Sequence, residues 1–319
     1  MSERVKVAVV GVGNNVSALV QGIALHRATG SLVGVRRPVL DGLGVGDIDF
    51  VAAFATSPGK VGADLCAAIF LPPNNFPRLA GELPLSGVTV GRGLTGADAS
   101  EVERVAGDLA GAEVVLYAAP SGRPETARAY AEAALLAGAA FINTTSDAVA
   151  RDPRLLDRYV AAGLPLLGDD LASQFGTSVV HHALLRLLEE RGLTLTSSYQ
   201  VNLGGTEDFR NLVENKSTKH QSKLNALAAE GAADRVQVAP LGYLPHLKSH
   251  KVAHINLEAQ AWGGTSVSVD VKLKVHDPSG AAGVDVDLIR IAASAMRQRR
   301  AGYPAEATPL LKSPPGTAI

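Results

Sequence analysis

The stretch VAVVGVGNNVSALVQG, from Val7 to Gly22, decides how the chain is read. It opens as a β-type apolar run, and Gly11-Val12-Gly13 follows where a strand would turn into a helix. A strand, a glycine turn and a helix N-terminus together make a phosphate site. The glycines let backbone N–H groups approach a pyrophosphate, and the helix dipole favours its charge. The third glycine of G-x-G-x-x-G would fall at position 16, but Val16 stands there, after Asn14 and Asn15. Two glycines alone are a weak signal, and an ordinary tight turn is the competing reading.

Outward from this turn, short apolar runs alternate with helix-like runs. RVKVAVVG (4–11) reads as a strand, residues 15–27 as a helix and IDFVAAF (48–54) as the next strand. AEVVLYAAP (112–120), AAFINTT (139–145) and LPLLGDD (164–170) continue the strands, and Pro124 suits the first turn of the helix between the first two. Apolar strands separated by helices predict a parallel sheet covered on both faces. Residues 28–47 read as a surface insertion. From near residue 170 the pattern changes. VAHINLEAQAW (252–262) and TSVSVDVKLKVHD (265–277) flank Gly263-Gly264, and the second run alternates apolar and polar residues. Period-two patterning around a glycine turn predicts an antiparallel hairpin. A helix is expected near 283–299. The fold class is therefore α/β, a Rossmann-type doubly wound parallel sheet plus a second α/β (α+β) domain on an open, largely antiparallel or mixed sheet.

The 319 residues carry a net charge of −1 and are 46% hydrophobic. That balance offers no electrostatic reason to expect nucleic acid or a membrane surface as partner. No apolar run approaches the ~18–20 residues of a membrane span, and MSERVKV lacks the apolar core of a signal peptide. The expected location is the cytoplasm. Cys66 is the only cysteine, which excludes an internal disulfide and an all-cysteine metal site.

Several groups are candidates for chemistry. Lys219 and Lys223 are i and i+4 on a helical pattern, with Lys216 three residues earlier. They form either a solvated basic face or a cationic cluster for a phosphate and a developing oxyanion. Asp169 and Asp170 follow a strand and precede a helix, a place for a helix cap or for a ligand site at the carboxyl end of a sheet. His181-His182 read as structural, because adjacent histidines on a helix point apart. His276-Asp277 ends a strand. Ala55 stands where an acidic residue often holds the ribose hydroxyls of a dinucleotide, so NAD and NADP both remain open.

Taken together, the blocks GVGNNVSALVQG, GDDLASQFG, QVNLGGTEDFRNL, KSTKHQSK, LEAQAWG, KLKVHDPSGAAGVDVD and LKSPP resemble, in order and spacing, the myo-inositol-1-phosphate synthase family in its short bacterial and archaeal form. The resemblance spans nearly the whole chain. In that family asparagines and a serine replace the third glycine of the turn. The resemblance implies a dinucleotide-binding domain of residues 1–169 and 282–319, and a catalytic and tetramerisation domain of residues 170–281. It also implies a homotetramer acting on a small sugar phosphate with bound NAD. Some members of the family use a divalent or monovalent cation, but no protein-only metal cage is visible in the sequence.

The implied reaction oxidises a hexose 6-phosphate at C5, closes the ring by an intramolecular aldol step and reduces the ketone again. Lys219, Lys223, Lys251, Lys312 and Asp277 carry over as catalytic residues. Gly11, Gly13, Asn14, Asn15, Ala55, Ala119, Thr144, Asp169, Asp170 and Ser173 carry over as cofactor-binding. Asn202, Gly204, Gly205, Asp208 and Lys216 carry over to the substrate.

Departures from the family pattern stand at Ala55, Ala172, Gly242, Lys248 and Ser249, and in FINTTSDA (141–148). They suggest the same chemistry on an altered substrate, such as fructose 6-phosphate closed to a five-membered cyclitol phosphate. A net NAD(P)-dependent dehydrogenase on the same fold is the further alternative. The loss of a charged pair at Ala172 and Gly242 near the ring-closing centre carries the ketose expectation.

Overall fold

The computed structural model describes residues 4–79, 81–214, 235–238 and 242–317. Its first sheet has six parallel strands: β1 (Val5–Val10), β4 (Ile48–Ala55), β5 (Val90–Arg92), β6 (Val114–Tyr117), β7 (Ala140–Asn143) and β8 (Leu166–Leu167). Their spatial order is β5-β4-β1-β6-β7-β8, the doubly wound arrangement expected from the strand–helix alternation. From Val7 to Val10 both faces of β1 are buried, as that apolar run requires, while Lys6 near its start is exposed. Val7 and Val9 join one core with Val16, Leu19 and Ile23 of α1 (Asn14–Thr29) and with Leu288, Ile289 and Ile291 of the C-terminal helix. Ala8 and Val10 face the opposite core, built on α3 (Ala99–Asp108) and α4 (Pro124–Ala137). The short α2 (Leu65–Ala68) and α5 (Pro153–Ala161) complete this part.

Residues 28–47 do not form a mere surface insertion. A small hairpin, β2 (Val39–Leu40) with β3 (Leu43–Gly44), puts Leu40, Leu43 and Val45 into the core. The buried Arg290 guanidinium donates to the carbonyls of Arg37, Pro38 and Leu43 and to Asp287, clipping the hairpin to the C-terminal helix.

The second sheet is mixed. β9 (Thr194–Gly204) runs antiparallel to β12 (His250–Gln260) and parallel to β10 (Val236–Val238) and β11 (Gly242–Tyr243). β12 and β13 (Ser266–His276) make the expected hairpin, in register from His250↔His276 to Gln260↔Ser266. Gly263 and Gly264 have φ of 69° and 78°, the left-handed conformation that this tip requires. Ile255, Leu257 and Ala259 pack on Leu185 and Leu188 of α6 (Thr177–Glu190). The opposite side of β13 is exposed at every second residue. α7 (Glu207–Glu214) follows β9.

The last helix, α8 (Asp277–Arg297), starts directly after β13, with Pro278 in its first turn. It returns the chain to the first sheet, and the expected domain border at 281/282 falls inside it. Among the described residues, no helix is long and apolar enough to cross a membrane.

Candidate active site

The glycine turn packs as a phosphate turn must. Gly11 has φ 90°, and a Cβ there would sit 2.7 Å from the Ala118 carbonyl oxygen, so only glycine lets the two loops meet. Gly13 caps α1 without a side-chain bond, and no acidic residue occupies the first turn, which leaves the helix N-terminus suited to an anion. Val16 is fully buried in the core, where a glycine would add nothing.

The side chain of Asn14 is directed elsewhere. Its Oδ1 accepts from the backbone N–H of Asn75 and Phe76 at 2.9 and 3.0 Å, and its Nδ2 donates to Asn75 Oδ1. Asn75 in turn donates to the Gly205 carbonyl at 3.0 Å, tying the turn to the second sheet. Lys60 anchors the same loop. Its ammonium donates to Val12 O at 2.6 Å and Asn74 Oδ1 at 2.7 Å, and burial pulls its pKa down to about 8.

At the other end of the first sheet the C-terminal tail pairs with residues 169–172. Lys312 N donates to Asp170 O and Ala172 N to Leu310 O, while Asp169 and Ser313 exchange backbone bonds. This pairing brings Lys312 Nζ to 2.8 Å from Asp170 Oδ1. Across the cleft, Lys251 at the start of β12 donates to Asp277 Oδ1 at the start of α8. Both pairs are largely shielded, the lysines at 14% and 13% side-chain exposure. Each lysine is thus held by a carboxylate from another element, a geometry that fixes a charged donor beside a reacting oxygen.

A single cleft of about 340 Å³ collects these groups. It is lined by Gly11, Gly13, Asn14, Asn15, Ala55, Ala119, Thr144, Asp170 and Ser173 from the expected cofactor set. Lys251, Lys312, Asp277, Asn202 and Asp208 line it as well. Lys216, Lys219 and Lys223 lie outside the described residues.

Three expected residues do not reach the cleft. Asp169 is fully buried, and its carboxylate accepts from Asn143 Nδ2, from the N–H groups of Val149, Ala150 and Arg151, and from Arg151 Nε. It holds the loop after β7, because a carboxylate so enclosed has no oxygen left for a ligand. Gly204 and Gly205 serve packing. A Cβ on them would lie 2.4 Å from the Phe209 ring and from Lys248 N, respectively. Neither Ala172 nor Gly242 lines the cleft. The space at Gly242 is already filled, since a Cβ there would meet Leu203 at 2.5 Å. The structural reading of His181 agrees with its place, enclosed between Ser198 Oγ and the Gln200 side chain.

Sequence reasoning missed Lys60, Asn74, Thr177 and Glu207, which also line the cleft. A lone lysine in SPGKVG gives no pattern to find it by. Both amide atoms of Asn202 and Thr177 Oγ1 are buried at the cleft wall without a hydrogen-bond partner. Buried polar groups are nearly always paired, so these suit a polar ligand that completes them. A Rossmann turn, an open helix N-terminus and an uncompensated amide fit a dinucleotide and a polyhydroxy substrate.

Fold and cleft together define a two-domain α/β protein with a cleft at the carboxyl end of a doubly wound sheet. The family profile of myo-inositol-1-phosphate synthase matches residues 176–278. Inositol-3-phosphate synthase of Mycolicibacterium smegmatis is 35% identical, over 98% of this chain and 93% of its own length. The enzyme of the same name from Corynebacterium glutamicum is 34% identical, over 98% and 93%. The crystal structure of Ari2 superposes with a TM-score of 0.89 at 51% identity, covering 99% of this chain and 94% of that one. The chain belongs to the inositol-3-phosphate synthase family, enzymes of the intramolecular-lyase class.

Proposed function

We propose that this enzyme closes a hexose 6-phosphate to a cyclitol phosphate with bound NAD, in the cytoplasm and as a homotetramer. The observation that carries the reading is the meeting of two lysine–carboxylate pairs, Lys251–Asp277 and Lys312–Asp170, with the glycine turn in one cleft. NAD, when bound, supplies reversible hydride transfer at the sugar C5. The turn from Gly11 to Asn15 would hold its pyrophosphate. Lys219 takes the proton of the C5 hydroxyl as the carbon is oxidised. The resulting ketone acidifies C6, attack by C6 on the C1 aldehyde closes the ring, and return of the hydride to the C5 ketone would give the cyclitol and restore the oxidised cofactor. Lys223 and Lys312 stabilise the enolate and aldol oxygens, and Lys251 serves the phosphate or the aldehyde. Asn202 and Asp208 orient the hydroxyls. The exposed alternating face of β13 is where subunits would meet.

A second reading keeps this cleft and changes the sugar. Closure of fructose 6-phosphate by attack of C6 on the C2 ketone would use the same residues and make a five-membered ring. The test incubates the enzyme with NAD+ and either glucose 6-phosphate or fructose 6-phosphate, and identifies the products by mass spectrometry and NMR. Inositol phosphate from glucose 6-phosphate supports the first reading, and a cyclopentane product from the ketose the second. Stoichiometric accumulation of NADH with an uncyclised product rejects both in favour of a dehydrogenase.

A further inference from the structure

Two hydroxyls on the cleft wall, Ser121 after β6 and Thr145 after β7, take no part in the chemistry above. They are not equivalent. Thr145 donates to Asn143 Oδ1 at 2.8 Å, so it spends its one proton inward and keeps lone pairs for a ligand. Ser121 is 5% exposed. Its hydroxyl accepts one long bond, from Ser146 N at 3.4 Å, and among the described residues it donates none. Buried hydroxyls are nearly always paired, so this donor is left for a ligand. The Ser121 loop is held from both domains. Asp147 is fully buried and accepts from Gly122 N at 3.0 Å and from Arg123 N at 3.1 Å. From the other side, Asn211 of α7 donates to the Ser121 carbonyl at 2.7 Å. Thr145 in turn adjoins the Lys312–Asp170 pair, because Asp170 N donates to the Thr145 carbonyl at 2.8 Å.

We infer that Ser121 and Thr145 form a subsite for one hydroxyl of the sugar phosphate, and that Asp147 is the positioning residue that holds Ser121 in it. The inference deepens the sugar-phosphate reading and rests on it. One free donor beside one free acceptor matches a group that itself both accepts and donates, as a hydroxyl does. A phosphate accepts only, so the lone pairs of Thr145 disfavour it here. A sugar hydroxyl bound beside the Lys312–Asp170 pair fixes the carbon chain at the reacting end, where orientation counts most.

Calorimetry on the full chain loaded with NAD+ tests this without requiring turnover. The probes are an open-chain hexitol 6-phosphate and its derivatives that lack the hydroxyl at C1, C2, C3 or C4. Ser121→Ala should weaken the hexitol phosphate about tenfold and leave NAD+ within about twofold of the parent. One deoxy derivative should bind the parent just as weakly, and Ser121→Ala should cost that derivative nothing further. Asp147→Ala should match Ser121→Ala. Asp147→Asn keeps an acceptor for Gly122 and Arg123, so it should stay within about threefold of the parent. Equal losses for every derivative on Ser121→Ala overturn the inference and leave the sugar-phosphate reading standing. So does a loss that falls on NAD+ alone, which would give the subsite to the nicotinamide carboxamide. An Asp147→Asn chain as weak as Asp147→Ala overturns the positioning role. A parent that binds no hexitol phosphate rejects the inference and the reading together.

Discussion

At the scale of single residues, two buried ionisable groups govern how this enzyme should respond to pH. Asp285 on α8 is wholly buried beside the Asn15 side chain, and burial pushes its pKa up to about 8. Its unfolded value lies near 4, so the folded state holds a proton that the unfolded state releases. The stability from this group is complete below the unfolded value and is lost as pH rises towards 8. Asp285→Asn, which is neutral throughout, should therefore be more stable than the parent. The gap should widen from pH 4 to 8, reaching a few kcal/mol on the ~1.4 kcal/mol-per-unit scale. Urea unfolding at pH 5 and pH 8 measures it, and a gap that does not change with pH contradicts the assignment. Lys60 behaves in the opposite sense. Burial lowers its pKa to about 8, so the cation at the cleft is lost as pH rises through that value. Dinucleotide affinity should fall above pH 8, and Lys60→Met should bind more weakly at pH 7 with that pH dependence removed. A parent affinity flat from pH 7 to 9.5 would show that Lys60 does not act on the ligand.

At the scale of elements, the glycine turn works only as part of an interlocked set. Asn14 and Asn75 exchange side-chain and backbone bonds, and Asn75 reaches on to Gly205. Asn75→Ala severs the link between the turn and the second sheet, two side-chain hydrogen bonds of about 1 kcal/mol each at most. Dinucleotide affinity should fall about tenfold, with little change in secondary structure by circular dichroism. Unchanged affinity would mean that the turn keeps its shape unaided. Gly11→Ala is the harsher change, because its Cβ meets backbone at 2.7 Å in a φ region closed to alanine. The loop cannot yield without moving Ala118 and Ala119, so nucleotide binding should be lost.

At the scale of the whole molecule, the C-terminal tail completes the site. Residues 310–313 pair with 169–172, and Lys312 arrives at Asp170 by that pairing. Lys312→Ala keeps the backbone bonds and removes only the charge. It should cost at least ~10²-fold in turnover, the scale of losing one oxyanion or acid–base group. Removing residues 310–319 should cost turnover and also lower the melting temperature. Near-normal turnover in Lys312→Ala, measured by product formation, would take the tail lysine out of the chemistry.

What could be read from the sequence alone was whatever repeats within a few residues. The parallel alternation, the glycine turn at Gly11 and Gly13, the β12–β13 hairpin and the order of the family blocks were all legible, because strand and helix periodicity is local. So were Lys251, Lys312, Asp277 and Asn202, which stand in those blocks and line the cleft. Roles that depend on who stands opposite were not legible. Asp169 and Asp170 are neighbours in one motif, yet one is enclosed by backbone donors while the other faces Lys312, 142 residues away. Asn14, expected at the cofactor, lines the cleft while its side chain anchors a loop 61 residues on. Ala172 and Gly242 looked like emptied site positions and lie outside the cleft. Lys60 carried no sequence signal, and Asp285 stood in a family block with no role attached. Their character comes from desolvation and from the absence or presence of a partner, and both are set by how distant segments pack.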